Sequence, residues 1–242
     1  MNTGLTTSRW VHVMTGITSW GRQKTTAGPR ATKGLWNARL RRCKTVIEWL
    51  LALGLVLALS PVFLVITLLV RRDGGPVFFV QMREGRNGKP IWVYKFRSMH
   101  VANCNPDAKS SVHNTDAGVT NFGAKLRQSG LDELPQLFNV LTGSMSLIGP
   151  RPHVFGMQVN GALYQAIVPT YRDRLLVRPG ITGLAQVSGW CGPVTTVEHA
   201  HARVAADCAY IQEWSPLLDV KILIATAAVL TRQLRHRPAS TA

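Results

Sequence analysis

"VIEWLLALGLVLALSPVFLVITLLV", residues 46–70, is a long apolar run that a serine and a proline interrupt. As a straight helix it would be about 37 Å long, enough to cross a hydrocarbon core of about 30 Å. Pro61 removes a backbone N–H and clashes with the preceding turn, while Ser60 can donate to a freed carbonyl. The sequence therefore predicts two helical arms joined by a strong bend at Ser60 and Pro61.

Basic residues flank this run on both sides. Arg41, Arg42 and Lys44 precede it, and Arg71 and Arg72 follow it directly. Because positive charges beside membrane segments tend to stay in the cytoplasm, both ends are expected there. This distribution favours a re-entrant hairpin that enters one leaflet and returns, although the charges alone leave open a single span with a proline kink.

The whole chain is strongly basic. Its 242 residues contain 28 lysines and arginines against 12 acids, a formal charge of +16, so its partners should be anionic. Residues 1–45 hold nine basic side chains and no acid, which predicts a solvated, disordered extension beside anionic lipid head groups. No aromatic and basic motif for nucleic acid accompanies the charge. The four cysteines are dispersed, which indicates neither a zinc site nor a disulfide framework.

Turn signals divide the next segment into short elements. Residues 74–81, GGPVFFVQ, and 85–99, GRNGKPIWVYKFRSM, place β-branched and aromatic residues after glycine turns, which predicts two short strands. The polar stretch 101–121 has no period and is predicted to be a loop.

Near the C-terminus, Leu217–Leu230 is too short and too charged to span a membrane. It suits a helix that lies at an interface or packs on the core.

A short helix is predicted between residues 131 and 143. Pro135 is tolerated only in a first turn, so Leu131 or Asp132 is expected to cap the helix. Asp132 and Glu133 then lie at a helix N-terminus, where acids commonly do no more than cap free N–H groups. Taken alone, the pair suits a structural role. The apolar residues at helical spacing are Leu134, Leu137, Phe138 and Leu141.

The surroundings of this acidic pair point to chemistry. Arg127 precedes it, and Arg151 and Arg178 follow in the glycine-containing turns GPRP and VRPGITG. Guanidinium groups bind phosphate bidentately, and glycine lets backbone N–H groups approach it. Asp132 and Glu133 among these arginines therefore predict a site for a phosphate group and a divalent metal, with Mg²⁺ preferred by hard oxygen ligands. The sequence has no P-loop or dinucleotide-binding glycine motif.

Seven motifs occur in the order known from one family. Over residues 41–235 the chain resembles the bacterial sugar transferases, monotopic polyprenyl-phosphate phosphoglycosyl transferases that initiate surface-polysaccharide assembly. The motifs are SP in the apolar run, GGPVFF, YKFRSM, LDELPQLFNVL, SLIGPRP, RPGITGLAQVSG and DCAYIQEWSPLLDVKIL. So many ordered matches leave little room for chance agreement.

The resemblance implies a reaction and a role for each matched residue. A UDP-sugar would give its sugar-1-phosphate to undecaprenyl phosphate, releasing UMP. Asp132 matches the family's nucleophile, which attacks the β-phosphorus and forms a phosphosugar-enzyme intermediate; Glu133 would help it hold Mg²⁺ and assist the second transfer. Arg127 and Arg151 would neutralise the transferring phosphoryl group. The matched motifs imply further substrate or phosphate contacts at Lys95, Arg97, Arg178 and Gln186.

Details of the motifs bear on the sugar. PRPH, GLAQVSGW and WSPLLDVKI look most like members that transfer glucose-1-phosphate, with galactose-1-phosphate second and N-acetylhexosamine-1-phosphate open. The sequence departs from the family pattern at Ser144, which replaces an aspartate, and at Gly118, which replaces an arginine. Two other interpretations stay open: a member that has lost catalysis, and a membrane-anchored basic binding protein without chemistry.

The resemblance also implies the architecture. We expect an α+β protein in which a re-entrant membrane helical hairpin carries a small cytoplasmic α/β catalytic domain with interfacial amphipathic helices. The expected divisions are a basic cytoplasmic extension at 1–40, the re-entrant helix at 41–72, the catalytic domain at 73–235 and a tail at 236–242. The expected location is the bacterial inner membrane, with the catalytic domain on its cytoplasmic face, and a homodimer is left open.

Overall fold

The computed structural model describes residues 38–72, 74–104 and 118–235. Most of the predicted basic extension, much of the predicted loop at 101–121 and the tail at 236–242 lie outside these ranges. Within them the protein combines helices with three two-stranded sheets, which confirms the mixed α+β class. The domain boundaries after residues 40, 72 and 235 stay predictions.

The apolar run forms two helices that meet at the expected break. Helix α1 spans Ala38–Ala58, helix α2 spans Ser60–Arg71, and a 62° bend separates them, which confirms the predicted bend. In an unbroken helix residue 61 would donate to the Leu57 carbonyl; proline has no N–H, and the Ser60 hydroxyl donates there instead at 2.8 Å. Among the described helices none is by itself long and apolar enough to cross a membrane, whereas this bent pair together could be.

The single acid of the apolar run anchors α1 to the rest of the protein. Glu48 is 7 % exposed, and its carboxylate accepts from the Ser146 hydroxyl and from the Ile148 N–H at 3.1 Å. Lys44 bridges Glu48 and Asp219, donating to each at 2.7 Å. A buried carboxylate is tolerated when it is paired and hydrogen-bonded in this way. A buried polar network therefore fixes the orientation of α1.

Strands β1 (Phe78–Glu84) and β2 (Pro90–Phe96) form the predicted antiparallel hairpin. In the connecting turn Asn87 and Gly88 have φ angles of 57° and 72°, left-handed conformations that asparagine and glycine adopt most readily. The turn chemistry thus gave the correct prediction for this pair of strands.

Helix α3 (Asn121–Ser129) leads into the turn that carries the acidic pair. The Thr120 hydroxyl caps its start by accepting from the Gly123 N–H at 2.8 Å, and Gly130, with φ 69°, ends it. A Cβ on Gly123 would lie 2.0 Å from the Ser98 carbonyl oxygen. Helix α3 therefore packs directly against the segment that follows β2.

The segment predicted as one helix from residue 131 is divided in two. Leu131–Glu133 forms a 3₁₀ turn, and helix α4 spans only Gln136–Leu141. Pro135 has no N–H for the Leu131 carbonyl; the Leu134 N–H donates there at 3.3 Å, closing a tighter turn. The predicted helix start at Leu131 or Asp132 is therefore wrong, and the acidic pair lies in a tight turn ahead of α4.

The C-terminal half consists of short strands and four helices. Strand β3 (Ser146–Ile148) runs parallel to β6 (Gly180–Thr182), and β4 (Gln158–Val159) pairs antiparallel with β5 (Ala162–Leu163). The helices are α5 (Tyr164–Ile167), α6 (Leu184–Val187), α7 (Val197–Glu213) and α8 (Pro216–Arg235), with a 3₁₀ segment at Pro169–Leu176. Buried apolar residues of α1, β2, α4, β3, α6, α7 and α8 form one core cluster.

Helix α8 packs on this core with one face only. Ile222 and Ala225 are buried in the core cluster, whereas Leu217, Val220 and Ile224 are exposed. The sequence left open whether this segment packs on the core or lies at an interface. Packing on the core is observed, and the other described residues leave a second apolar face of the helix uncovered.

Candidate active site

A cavity of about 520 Å³ lies beside the acidic pair. It is bounded by the β1–β2 hairpin, α3, the 3₁₀ turn, the loop after β3, α6, α7 and α8. Its volume is within the range of ligand-binding clefts. Cationic side chains outnumber carboxylates in its wall, which suits an anionic ligand. These charged residues are Arg83, Lys95, Arg127, Arg151, Arg203, Asp132 and Glu133.

Asp132 presents a carboxylate that the other described side chains leave free. The residue is 7 % exposed, and among the described residues its carboxylate has no hydrogen bond and no ion pair. Burial raises the pKa of Asp132, the positive charge of Lys95 opposes that shift, and the negative charge of Glu133 adds to it. Its lone pairs are therefore available to a metal ion or to an electrophile.

Glu133, the next residue, is bound through both carboxylate oxygens. Lys95 donates to Oε1 at 2.6 Å, and Arg151 forms a bidentate pair, with one donation to Oε2 at 3.0 Å and another to Oε1. Burial alone would raise the pKa of Glu133, but the charges of Arg151 and Lys95 hold it well below its usual range. Glu133 therefore stays ionised and orients two cations, while no described residue engages the carboxylate of Asp132 beside it.

The structure brings six of the eight sequence-predicted site residues to the cavity. Arg127 is fixed by its Nε, which donates to the Ser98 hydroxyl at 2.8 Å. Gln186 donates from Nε2 to the Ile181 carbonyl at 2.9 Å, which leaves its buried Oε1 without a partner in the described part of the chain. Their binding roles stay predictions. The six are Asp132, Glu133, Lys95, Arg127, Arg151 and Gln186.

Arg97 is not among the residues that line the cavity, and its contact with substrate or phosphate stays a prediction. It is 3 % exposed, and its guanidinium donates to the carbonyls of Pro76 at 2.6 Å, Met99 at 3.2 Å and Val70 at 3.0 Å. Since these backbone carbonyls engage the guanidinium, Arg97 ties the end of α2 to both flanks of the hairpin.

Arg178 also lies outside the cavity wall, and its phosphate contact stays a prediction. Its guanidinium donates to the Thr45 hydroxyl on α1 and to the Gly143 carbonyl at 3.4 Å, and it is not among the residues that line the cavity. The side chain of Arg178 turns toward α1 from the segment just before β6. It therefore connects the apolar helix to the end of α4.

The two departures from the family pattern lie outside the cavity wall. The Ser144 hydroxyl donates to the Asn139 carbonyl at 3.1 Å, just beyond the end of α4. Gly118 has a φ of 110°, and a Cβ there would lie 2.4 Å from the Asn103 side chain. Both residues therefore have local structural roles here.

Sequence reasoning missed two further cations of the cavity wall, Arg83 and Arg203, and the histidine His153. Strand alternation could have found Arg83, because it follows Phe79 and Gln81 on one face of β1 and all three line the cavity. Arg203 had no local signal, because only tertiary packing brings α7 to this place.

The acidic pair offers the oxygen ligands that Mg²⁺ prefers. The unengaged carboxylate of Asp132 fits a cation, whereas Glu133 would share its oxygens with Lys95 and Arg151. Within the described ranges no group of three or more histidine, cysteine or acidic residues is placed to hold a metal. A Mg²⁺ ion here would therefore take its other ligands from substrate phosphates and water, as is common for this ion.

Comparisons with known proteins show what the chain is similar to. A family model described as bacterial sugar transferase matches residues 39–233. An exopolysaccharide production protein of Rhizobium leguminosarum bv. phaseoli is 44% identical over 183 residues, which are 75% of this chain and 92% of that protein.

Two further relatives carry a more specific name, UDP-glucose:undecaprenyl-phosphate glucose-1-phosphate transferase. The Escherichia coli K12 protein is 44% identical over 78% of this chain, which spans only 40% of that protein's length. The Caulobacter vibrioides protein is 42% identical over 77% of this chain and 69% of its own length. With a family model that covers most of its length, the chain belongs to the bacterial sugar transferase family.

Proposed function

We propose that this protein transfers glucose-1-phosphate from UDP-glucose to undecaprenyl phosphate and releases UMP, as the first step of surface-polysaccharide assembly. The names of the Escherichia coli and Caulobacter vibrioides relatives support the donor and the acceptor. The observation that carries the proposal is the unengaged Asp132 carboxylate in a cavity whose wall is mostly cationic.

The proposed chemistry has two displacements at one phosphorus. An Asp132 oxygen attacks the β-phosphorus, the bond to the bridging oxygen breaks, and UMP leaves with the electron pair. A phosphate oxygen of undecaprenyl phosphate then attacks the same phosphorus and regenerates the Asp132 carboxylate. A covalent intermediate of this kind lets a water-soluble and a lipid substrate use one site in turn.

The neighbouring residues would stabilise charge during both steps. Lys95 and Arg151 are preoriented by Glu133, and Arg127 by Ser98, so little reorganisation is needed when the phosphoryl group arrives. Mg²⁺, held by Asp132 and Glu133 with the substrate phosphates, would neutralise negative charge on the diphosphate. The cations of the cavity wall supply the same kind of stabilisation from the protein itself.

For the membrane we propose a re-entrant hairpin formed by α1 and α2. The bend at Ser60 and the basic residues at both ends support a course that enters and leaves the cytoplasmic leaflet of a bacterial inner membrane. The exposed apolar face of α8 suits contact with the same interface. Donor and acceptor would then both reach Asp132 at the cytoplasmic surface.

The topology can be tested with cysteine labelling. Cys43 is exposed at the start of α1, and we expect it to be labelled by a membrane-impermeant maleimide only after cells are opened. A variant that keeps Cys43 as its only cysteine should behave like a second one whose only cysteine is Arg72→Cys. Labelling of either position in intact spheroplasts, with a periplasmic control protein labelled in parallel, would exclude the re-entrant course.

The donor is tested by UMP release from a panel of nucleotide sugars. The full chain in detergent or nanodiscs, with Mg²⁺ and undecaprenyl phosphate, is expected to release UMP fastest with UDP-glucose. UDP-galactose and UDP-N-acetylhexosamines serve as the comparison. Faster release with another UDP-sugar would reassign the sugar, and no release with any donor would exclude the enzyme and favour a binding protein.

A further inference from the structure

Arg203 and Arg83 are cations of the cavity wall that form no ion pair with a carboxylate of the described residues, although Asp207 and Glu133 act on them from a distance. Arg203 is 5 % exposed, and its guanidinium donates to the Trp190 carbonyl at 2.8 Å and the Gly192 carbonyl at 2.6 Å. Arg83 is half-buried and donates to the Pro152 carbonyl at 3.3 Å and to the Gln81 amide. In the part of the chain that the structure describes, neither forms an ion pair with a carboxylate.

Other arginines nearby form ion pairs with carboxylates. Arg151 is paired with Glu133, and Arg174 is paired with Asp207 at 2.9 Å. A buried guanidinium without a counter-ion is costly, since carbonyl oxygens supply hydrogen bonds but no full negative charge. Burial and the charge of Arg151 lower the pKa of Arg83 to about 10, and the charge of Glu133 opposes that shift only in part.

His153 lies among these cations, and one of its ring nitrogens has no hydrogen-bond partner among the described residues. It is 2 % exposed and lines the cavity, and its Nδ1 is 3.3 Å from the Tyr171 hydroxyl. Its buried Nε2 has no hydrogen-bond partner among the described residues. Burial and the charges of the surrounding arginines keep the pKa of His153 well below its usual range, so the ring is neutral and adds no charge of its own.

We infer that Arg83 and Arg203 form a second anion-binding subsite of this cavity, which holds a substrate phosphate that does not react. The inference rests on the proposed function. Glu133, the residue next to Asp132, holds Lys95 and Arg151 by direct hydrogen bonds, so the phosphorus under attack belongs beside those cations. The second subsite then takes the phosphate on the other side of the breaking bond, the α-phosphate of the nucleotide.

A direct test measures binding without turnover. Full-length protein carrying Asp132→Asn, in detergent micelles, is titrated with UMP by calorimetry, alone and with Arg83→Gln or Arg203→Gln added. Each added substitution is expected to weaken UMP binding at least about tenfold, as for loss of a charged hydrogen bond. The matched control is Arg172→Gln, an exposed arginine of the Pro169–Leu176 segment, which should leave the affinity unchanged.

Half-reactions in the otherwise wild-type protein separate the two phosphate sources. Slower covalent loading from UDP-glucose assigns the subsite to the nucleotide phosphate. Normal loading with slower discharge to undecaprenyl phosphate assigns it to the lipid phosphate. UMP affinity and both half-reactions within about twofold of the parent in both arginine variants would overturn the inference.

Two controls distinguish loss of the subsite from unfolding of the protein and from failure of the proposed function. Arg203→Lys keeps the charge and should recover part of the affinity, and Arg83 is less buried, so its substitution tests the subsite if the Arg203 variant unfolds. If the wild-type protein releases no UMP but binds it with this arginine dependence, the proposed function fails and the subsite stands.

Discussion

Replacing Asp132 with asparagine is expected to lower UMP release by at least about a thousandfold while leaving the protein at least as stable as the wild type. Asparagine has nearly the same shape but cannot attack phosphorus as a carboxylate does. UMP release with UDP-glucose and undecaprenyl phosphate measures the first effect. Glu198→Gln, which removes an exposed acid on α7, is the control and should retain full activity.

The stability half of this prediction follows from the surroundings of Asp132. Its buried carboxylate accepts no hydrogen bond within the described chain, and burial raises its pKa. A raised pKa in the folded state means that the protonated acid favours folding and that this contribution is lost as the pH rises through that pKa. In metal-free buffer Asp132→Asn should therefore unfold at an equal or higher temperature than the wild type near pH 7, with the difference shrinking toward pH 4.

A marked loss of stability in Asp132→Asn would favour the other interpretation of the pair. In that case Asp132 would act mainly as a cap for the helix that follows, and its removal would leave N–H groups unsatisfied. Thermal unfolding of both proteins in the same detergent distinguishes the two roles.

Glu48→Ala is expected to lower the free energy of unfolding by about 3–5 kcal/mol, the usual cost of breaking a buried, hydrogen-bonded ion pair. The substitution leaves the Ser146 hydroxyl and the Ile148 N–H without their acceptor and removes one of the two acids paired with Lys44. Denaturant unfolding in detergent micelles, followed by tryptophan fluorescence, measures the loss.

Two further variants serve as controls for the Glu48→Ala prediction. Glu48→Gln keeps an oxygen that can accept from Ile148 and should cost less than Glu48→Ala. Glu198→Ala removes an exposed acid and should cost less than about 1 kcal/mol. If Glu48→Ala unfolds at the same denaturant concentration as Glu198→Ala, the network does not hold α1 on the core.

Features encoded by neighbouring residues could be predicted from the sequence. The bend depends on Pro61 and on the Ser60 hydroxyl one residue away, and the hairpin depends on Asn87 and Gly88 in its own turn. Family membership was recognisable because it rests on seven contiguous motifs. In each case the decisive interaction spans only a few residues of chain.

Features that depend on distant partners could not be predicted in this way. Arg97 and Arg178 sit in motifs beside the site, yet backbone carbonyls and Thr45 draw their side chains away from it. Nothing in the sequence explained an acid at Glu48 in an apolar run. The structure shows that Ser146, about one hundred residues later, donates to its carboxylate. A motif shows which residue type stands at a position, but tertiary packing sets the direction of a long side chain.

The split between the 3₁₀ turn and α4 shows a subtler limit. The apolar spacing from Leu134 to Leu141 correctly indicated a helical face, but Pro135 excludes the hydrogen bond that would extend the helix back to Leu131. This turn gives Asp132 and Glu133 their unlike surroundings, one carboxylate free and the other paired. The spacing of apolar residues therefore could not show that these two carboxylates have different partners.

Intact-protein and peptide mass spectrometry after incubation with UDP-glucose, without lipid acceptor, tests the central claim most directly. The account predicts a mass increase of one hexose phosphate, located on Asp132, which disappears when undecaprenyl phosphate is added and never forms in Asp132→Asn. A protein that releases UMP into lipid-linked product while Asp132 stays unmodified, or an adduct on another residue, would contradict it.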